Sequence, residues 1–354
     1  MTTRKKRTEY IYYPKLFHYD AASCFHIVAM ILSAMMLSHE DYTVGWVCAL
    51  PLEMTAAKAM LDETHSNLSQ SATDHNAYTL GKISGHNVVI ACLPSGVYGT
   101  TPAAVVVSMM NSTFPRIKFG LMVGIGGGVP YNGTDIRLGD VVISKPTGSY
   151  NGVVQYDRGK ANSGGRFNLS GRLNQPSQVL LTSIAQLEAD QMSGNNPPIA
   201  KILSETEEQI HDTKGIFACP GQEQDQLFHS TYDHVESEDT CVKCDKQQLV
   251  HREQRASKEP EIHYGLIASG NQVMKDSQIR DNLAREHGII CFETEAAGLM
   301  NQLPCLVIRG ICDYSDSHKN KKWQGYAALT AASYGKILLS VVPVAFFPKQ
   351  KSGM

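Results

Sequence analysis

Acidic and basic side chains almost cancel in this sequence. Asp and Glu number 34 against 32 Lys and Arg, for a formal net charge of -2 over 354 residues. With no excess of positive charge, nothing in the composition argues for binding nucleic acid or an anionic membrane. No internal repeat is visible, so the length points to one large domain or two small ones. Charged residues make up 19% of the chain and apolar residues 42%, a globular balance. Long apolar runs are scarce. One uncharged run spans Ala21–Leu37, after the basic cluster Arg4–Arg7. A signal peptide or anchor would read this way, but the run is short for a span and His26 interrupts it. No convincing small-residue cleavage site follows. Residues 1–40 are expected to be an N-terminal extension or accessory helix.

Cysteine is not scarce, but it lacks a disulfide pattern. The count of nine is odd, and Cys48, Cys92, Cys291 and Cys305 sit inside apolar, strand-like runs. Buried reduced thiols are the simple reading, which fits a reducing, cytoplasmic compartment.

From Asp41 the chain becomes regular. "YTVGWVCAL" reads as a buried strand, and "PLEMTAAKAML" as a helix with Pro51 in its first turn. The runs "HNVVIACLP", "FGLMVGIGGGVP", "DVVIS", "HYGLIASG", "IICFE" and "CLVIRGICD" are further strands. Helical patterns fall between them at "TPAAVVVSMM", "SQVLLTSIAQLEADQM", "DSQIRDNLAREHG" and "GYAALTAASYGKILLSVVP". Apolar strands alternating with helices predict an α/β fold: three layers, α/β/α, around a mostly parallel sheet. One domain is expected over residues 41–345, with a polar insertion at about 157–260 that contains one good helix, and a short tail at 346–354.

Ligands of such sheets bind where strands end. Asp313, Glu53, the glycines from Gly124 to Gly128, and Ser269–Gly270 all lie at strand exits. The stretch "LVIRGICDYSD" is unusual because an apolar strand has no use for Arg309 inside it, or for Asp313 and Asp316 beyond it. "CFETEAAG" places Glu293 and Glu295 on one side of a strand-to-helix junction. Carboxylates are rarely buried without partners. A charge placed at a helix start is the plainer account of Glu295. "VGIGGGVP" lets backbone N–H groups approach a ligand, but as a lone motif it is weak; it is neither a dinucleotide fingerprint nor a P-loop. "CVKC" (Cys241, Cys244), flanked by His234 and His251, has metal-ligand residue types, although not the spacing of a standard finger. Free thiols in a polar insertion are the plainer reading.

Taken together, "TVGWVCALPLEMTAA", "IASGNQVMKD", "CFETEAAGLM" and "LVIRGICDYSDSHKNKKWQ" resemble the purine and uridine phosphorylase superfamily. Within it the chain is most similar to the nucleosidases of methylthioadenosine and S-adenosylhomocysteine, and to the fungal version found at the front of NLR-type proteins. The resemblance covers Asp41 to about Pro343. It implies that Asp313 is the general acid toward the purine, that Glu295 binds the ribose hydroxyls, and that Glu53 activates water. It puts Arg309 and Glu293 near the sugar, Val273 and Met274 beside the base, and Gly126 and Gly127 on the floor. Asn271 and Thr294 complete the expected substrate-binding set. Thr294 stands where methionine is usual, Cys312 where serine is common, and Val273 where a larger aromatic is found. The insertion is absent from the small bacterial enzymes.

The chemistry asks for these groups. Cleaving an N-glycosidic bond needs an acid to protonate the leaving base and a base to activate the nucleophile. Burial and neighbouring carboxylates are expected to keep Asp313 protonated. The family's phosphorylases place arginines in the first strand–helix turn and before the glycine-rich turn. "ALPLEM" and "LMVGIGGG" contain none, and Glu53 would repel phosphate. Hydrolysis of adenosine-like nucleosides or nucleotides is therefore the expected reaction, without cofactor or catalytic metal, in a homo-oligomer. Arg252 and Arg255 of the insertion remain candidate phosphate ligands. Phosphorolysis and non-catalytic nucleoside sensing are the alternatives.

Overall fold

The computed structural model describes residues 37–130, 133–163, 167–195, 198–210, 214–235 and 240–344. The basic cluster and most of the apolar run expected as an N-terminal extension, and the 346–354 tail, lie outside the described residues. One compact unit begins at His39.

Its frame is a ten-stranded sheet. β1 (Val44–Cys48) leads into α1 (Pro51–Ala59), whose first helical position is Pro51, where a missing N–H costs nothing. After the short β2 (Glu63–Thr64), β3 (Tyr78–Ile83) and β4 (His86–Cys92) form an antiparallel hairpin. Its turn is Ser84–Gly85, both at positive φ, as a two-residue hairpin loop prefers. α2 (Thr100–Thr113) and β5 (Phe119–Gly128) follow, then β6 (Val141–Ser144) and β7 (Val153–Gln155).

The segment expected as a polar insertion is more ordered than its composition suggests. β8 (Gly159–Ala161) and β9 (Phe167–Leu169) pair with each other, and α3 (Gln178–Met192) is the expected helix. A second helix, α4 (Ile199–Gln209), corrects the expectation of one. Its sequence is mostly polar, but Ile199, Leu203 and Thr206 recur at helical spacing and are buried. Both helices pack on the last helix and add Leu180, Ile184, Leu187 and Leu203 to the main core.

β10 (Ile262–Ser269), α5 (Ser277–His287), β11 (Ile289–Glu293), the one-turn α6 (Ala296–Leu299), β12 (Cys305–Asp313) and α7 (Gln324–Val341) complete the unit. As expected, the Asp276 side chain caps α5, and Gly288 ends it in the left-handed conformation. The strand order is β11-β10-β6-β12-β5-β1-β4-β3-β2. β1 lies parallel to β4 and β5, and β12 parallel to β5. β6, however, runs antiparallel to β12, and β11 turns back to pair antiparallel with the end of β5 through Cys291–Gly128 and Phe292–Gly127. That seam closes β5, β12, β6, β10 and β11 into a ring. Helices α1, α3, α4 and α7 form one outer layer, with α7 lying on β12 and β5. α2 and α6 pack together elsewhere, and α5 packs on β11. Among the described residues, no helix is long and apolar enough to cross a membrane. Every cysteine among them is a free thiol.

Candidate active site

Of the carboxylates singled out in the sequence, Glu53, Glu293 and Glu295 come together at the exits of β1 and β11, whereas Asp313 and Asp316 line a smaller neighbouring cavity. Arg309 sits in the middle of β12 with no exposed surface. It is opposite Gly124 in the register of β5. A Cβ at Gly124 would fall 2.5 Å from Arg309 Nη1 and collide with Glu53 Oε1, so only glycine lets these groups meet. Arg309 Nη2 donates to Glu293 and lies 3.7 Å from Glu295 Oε2. The charges of Glu293, Glu295 and Glu53 overcome burial and raise its pKa further. One guanidinium therefore ties Glu293 and Glu295 together, with the charge of Glu53 close by.

Those glutamates do different work. Glu293 accepts from the backbone N–H of Glu295 at 3.2 Å and of Ala296 at 3.0 Å. It is Glu293, not Glu295, that meets the free N–H groups where α6 begins. Glu295 is left with one contact from the Thr294 hydroxyl to Oε1, at 2.5 Å, and the more distant Arg309. Burial, then the charge of Glu293, push the Glu295 carboxyl well above the ordinary range. Glu53 accepts from Ala49 N (2.7 Å) and Leu50 N (3.0 Å) on Oε2, and from Ile125 N (2.8 Å) on Oε1. It bridges the start of α1 to β5. Burial raises its pKa despite those donors and Arg309.

A cavity of about 440 Å³ opens over this cluster. Glu53, Glu293 and Glu295 line it, with Thr294, Gly126, Gly127, Val273 and Met274. Asn271 does not line it: its side chain accepts from Thr100 N and Oγ1 and fastens the β10 exit to α2. Arg309 lies behind the wall, paired with Glu293.

Asp313 ends β12 at an irregularity, where the register with β5 shifts between Ile311 and Asp313. Such a bulge re-aims a side chain. Here it brings Asp313 against Gly127 of the cavity wall, where a Cβ would fall 2.6 Å from Asp313 Oδ1. Asp313 is 4% exposed. Ser315 N donates to Oδ1 at 2.9 Å, the Cys312 thiol donates to Oδ2 at 3.1 Å, and Lys319 Nζ stands 2.9 Å from Oδ2. Burial alone would raise this carboxyl, but Lys319 and the other donors hold it below the ordinary range. The expectation of a protonated Asp313 is thus not met, because Lys319 supplies a positive charge that the sequence reading did not include. Asp316 faces elsewhere, 3.7 Å from Arg280 Nη1, and burial pushes it up to about 6.

Lys319, Ser315, Tyr98, Phe292 and Lys321 also line the cavity and were not anticipated. The signal for Lys319 was the polar run "SDSHKNKKWQ" just beyond the acid. Arg252 and Arg255 do not reach the cavity. Arg252 pairs with Asp225 and the Tyr314 hydroxyl, and Arg255 with Asp140. No arginine is among the lining residues.

The sequence model of the Phosphorylase superfamily matches residues 43–340. The chain belongs to this superfamily. A nucleotide-binding leucine-rich repeat (NLR)-like protein of Hyaloscypha variabilis is 50% identical over 307 residues, which is 86% of this chain. The chain spans only 30% of that relative's length. A 5′-methylthioadenosine/S-adenosylhomocysteine nucleosidase of Mycobacterium bovis is 22% identical over 85% of this chain and 97% of its own length. Among solved superfamily folds, the S. pneumoniae nucleosidase of the same name, bound to a transition-state inhibitor, matches with a TM-score of 0.52 at 18% identity, covering 85% of this chain and all of the other. Futalosine hydrolase of Helicobacter pylori matches at 0.51 and 16% identity, over 85% of this chain and 98% of the other. The expected superfamily and its three-layer fold are both found.

Proposed function

We propose that this chain is a purine nucleosidase that hydrolyses the N-glycosidic bond of adenosine-like nucleosides or nucleotides. The observation that carries the reading is the cavity that Glu53 and Glu295 share, with Asp313 against its Gly127 wall. Glu295, with few partners of its own, accepts the ribose hydroxyls and orients the ring. Glu53 takes the proton from the attacking water; a carboxylate with a raised pKa is the stronger base. Asp313 gives a proton to the departing purine. Its proton must come from solvent, because Lys319 holds the carboxyl below the ordinary range. Phe292 and Met274 offer apolar surface to the base. The reading needs no cofactor, and it places the protein in the cytoplasm as a homo-oligomer.

Water is favoured over phosphate by the lining. Its basic residues are Lys319, which is committed to Asp313, and the exposed Lys321. A phosphate dianion asks for more. The nucleosidase names of the relatives agree with this choice.

The test is chromatography of the purified protein incubated with adenosine, inosine, methylthioadenosine and ATP, with and without phosphate. Free base released independently of phosphate is the expected result. Ribose 1-phosphate, formed only with phosphate, would replace this reading with phosphorolysis. Binding of a nucleoside without release of base from any substrate would make the chain a sensor. The Lys319 clamp on Asp313 and the match to an NLR-like protein both favour that second reading.

A further inference from the structure

Outside the cavity, the structure brings together a side-chain set that the proposed reaction does not use. The ligand atoms of His234, Cys241 and Cys244 all lie within 4.8 Å of one another. Cys241 begins a 3-10 turn, Cys241–Lys243, and Cys244 N closes it onto Cys241 O at 3.3 Å. This turn sets two sulfurs side by side. His234 is brought to them by its backbone N–H, which donates to Ser317 Oγ at 3.0 Å. Cys244 is buried and the other two are half-buried. His251, the other flanking histidine of the sequence, is not in the group.

His318 packs beside the group, stacked on the Phe228 ring at 4.0 Å between centroids, but is not part of it. His318 is 7% exposed, and its Nε2 has no hydrogen-bond partner. Its ring is 5.5 Å from that of His234, centroid to centroid, and Cys241 Sγ approaches its carbonyl at 3.7 Å. A buried imidazole nitrogen left without a partner is costly. A small cavity of about 90 Å³, lined by Cys241, His318, Asp316 and also Asp313, leaves room for solvent beside the group.

We infer that His234, Cys241 and Cys244 bind a zinc ion, with the fourth position taken by solvent. Two thiolates and an imidazole are a borderline-soft donor set, which suits zinc better than calcium or magnesium. In a tetrahedral zinc site, neighbouring donors stand about 3.3–3.8 Å apart. The three atoms therefore need to close in only slightly.

The position says what the ion does. His234 and Cys241 touch Ser317 and His318, the residues just before Lys319. The same loop is held from the other side by Arg280, whose Nη1 donates to Tyr314 O at 2.7 Å. Zinc would pin the insertion to the loop that delivers Lys319 to Asp313. The site is structural, and it stands whether or not the chain is a hydrolase.

The experiment is metal analysis of the full-length chain, purified under reducing conditions and desalted. About one zinc per chain is expected, falling to background in Cys241→Ser/Cys244→Ser. Cobalt(II) added to the metal-free wild-type protein is expected to give tetrahedral ligand-field bands and a thiolate-to-cobalt charge-transfer band. Hydrogen exchange in residues 314–319 is expected to quicken when the metal is removed. If the double variant does not fold, the cobalt spectrum of the wild type decides alone. A wild-type chain that binds neither zinc nor cobalt, a cobalt spectrum without a thiolate band, or a Cys241–Cys244 disulfide in the reduced preparation would overturn the inference.

Discussion

Lys319 Nζ stands 2.9 Å from Asp313 Oδ2, and this contact holds the carboxyl below the ordinary range at the place where the proposed reaction calls for an acid. Burial pulls the Lys319 ammonium toward neutrality, but the charge of Asp313 more than offsets this and leaves its pKa raised. Lys319→Met removes the clamp, so burial raises the Asp313 carboxyl against only the Ser315 and Cys312 donors. The basic limb of the kcat profile is expected to move to higher pH. An unmoved limb in the variant would show that Asp313 does not titrate in the rate-limiting step.

Asp313→Asn keeps the shape and removes the transferable proton. Base release is expected to fall roughly 10²–10⁴-fold, the usual worth of a positioned acid. Equilibrium binding of the nucleoside, measured by calorimetry, is expected to survive. Loss of binding and turnover together would make Asp313 a folding residue.

Glu295 sets an acid limb. Burial and Glu293 push its carboxyl up to about 7. Substrate affinity is expected to weaken as pH falls through that value, because a protonated carboxyl accepts fewer hydroxyl hydrogens. Stability moves in the opposite sense. The folded state holds a proton that an unfolded Glu releases near 4.3, so this contribution is full below that value and is lost as pH rises toward 7. Urea midpoints of Glu295→Gln are expected to vary less than those of the wild type across roughly pH 4–7.

Arg309→Met leaves Glu293 buried without its cation. Removing one partner of a buried pair costs ~3–5 kcal/mol, and a matching drop in the urea midpoint is expected. Glu293→Gln combined with Arg309→Met should recover part of that loss; an additive double variant would argue against a direct pair.

Gly124→Ala puts a methyl group between Glu53 and Arg309. Overpacking of this kind costs ~1–3 kcal/mol. Activity is expected to fall further than stability, because Glu53 is the group displaced. An alanine variant with full turnover would remove Glu53 from the reaction.

Much of this was legible in the sequence. β1, β5 and β12 are apolar runs, and their exits carried the signals of a site: Glu53 after β1, glycines at the end of β5 and Asp313 at the end of β12. Gly288 and Asp276 announced both ends of α5. What could not be read was geometry across the chain. Nothing local in "ICDYS" signals the bulge that turns Asp313 toward Gly127. Lys319 was visible only as one of several lysines, and its effect on Asp313 depends on how the loop folds back. The roles of Glu293 and Glu295 could not be separated by alternation, since both project to one side; what separates them is which one meets the backbone of α6. α4 was hidden because three buried residues support it amid polar ones. Arg252 and Arg255 were read as candidate phosphate ligands, but Asp225 and Asp140 pair with them.

Glu53 comes near the beginning of the folded unit and Glu295 near its end, so the cavity joins segments far apart in the sequence. A guest lodged between them fastens early chain to late chain. Occupancy should therefore slow unfolding and raise the melting temperature with ligand concentration, so that a thermal scan across candidate nucleosides reports which one fits even before any turnover is seen.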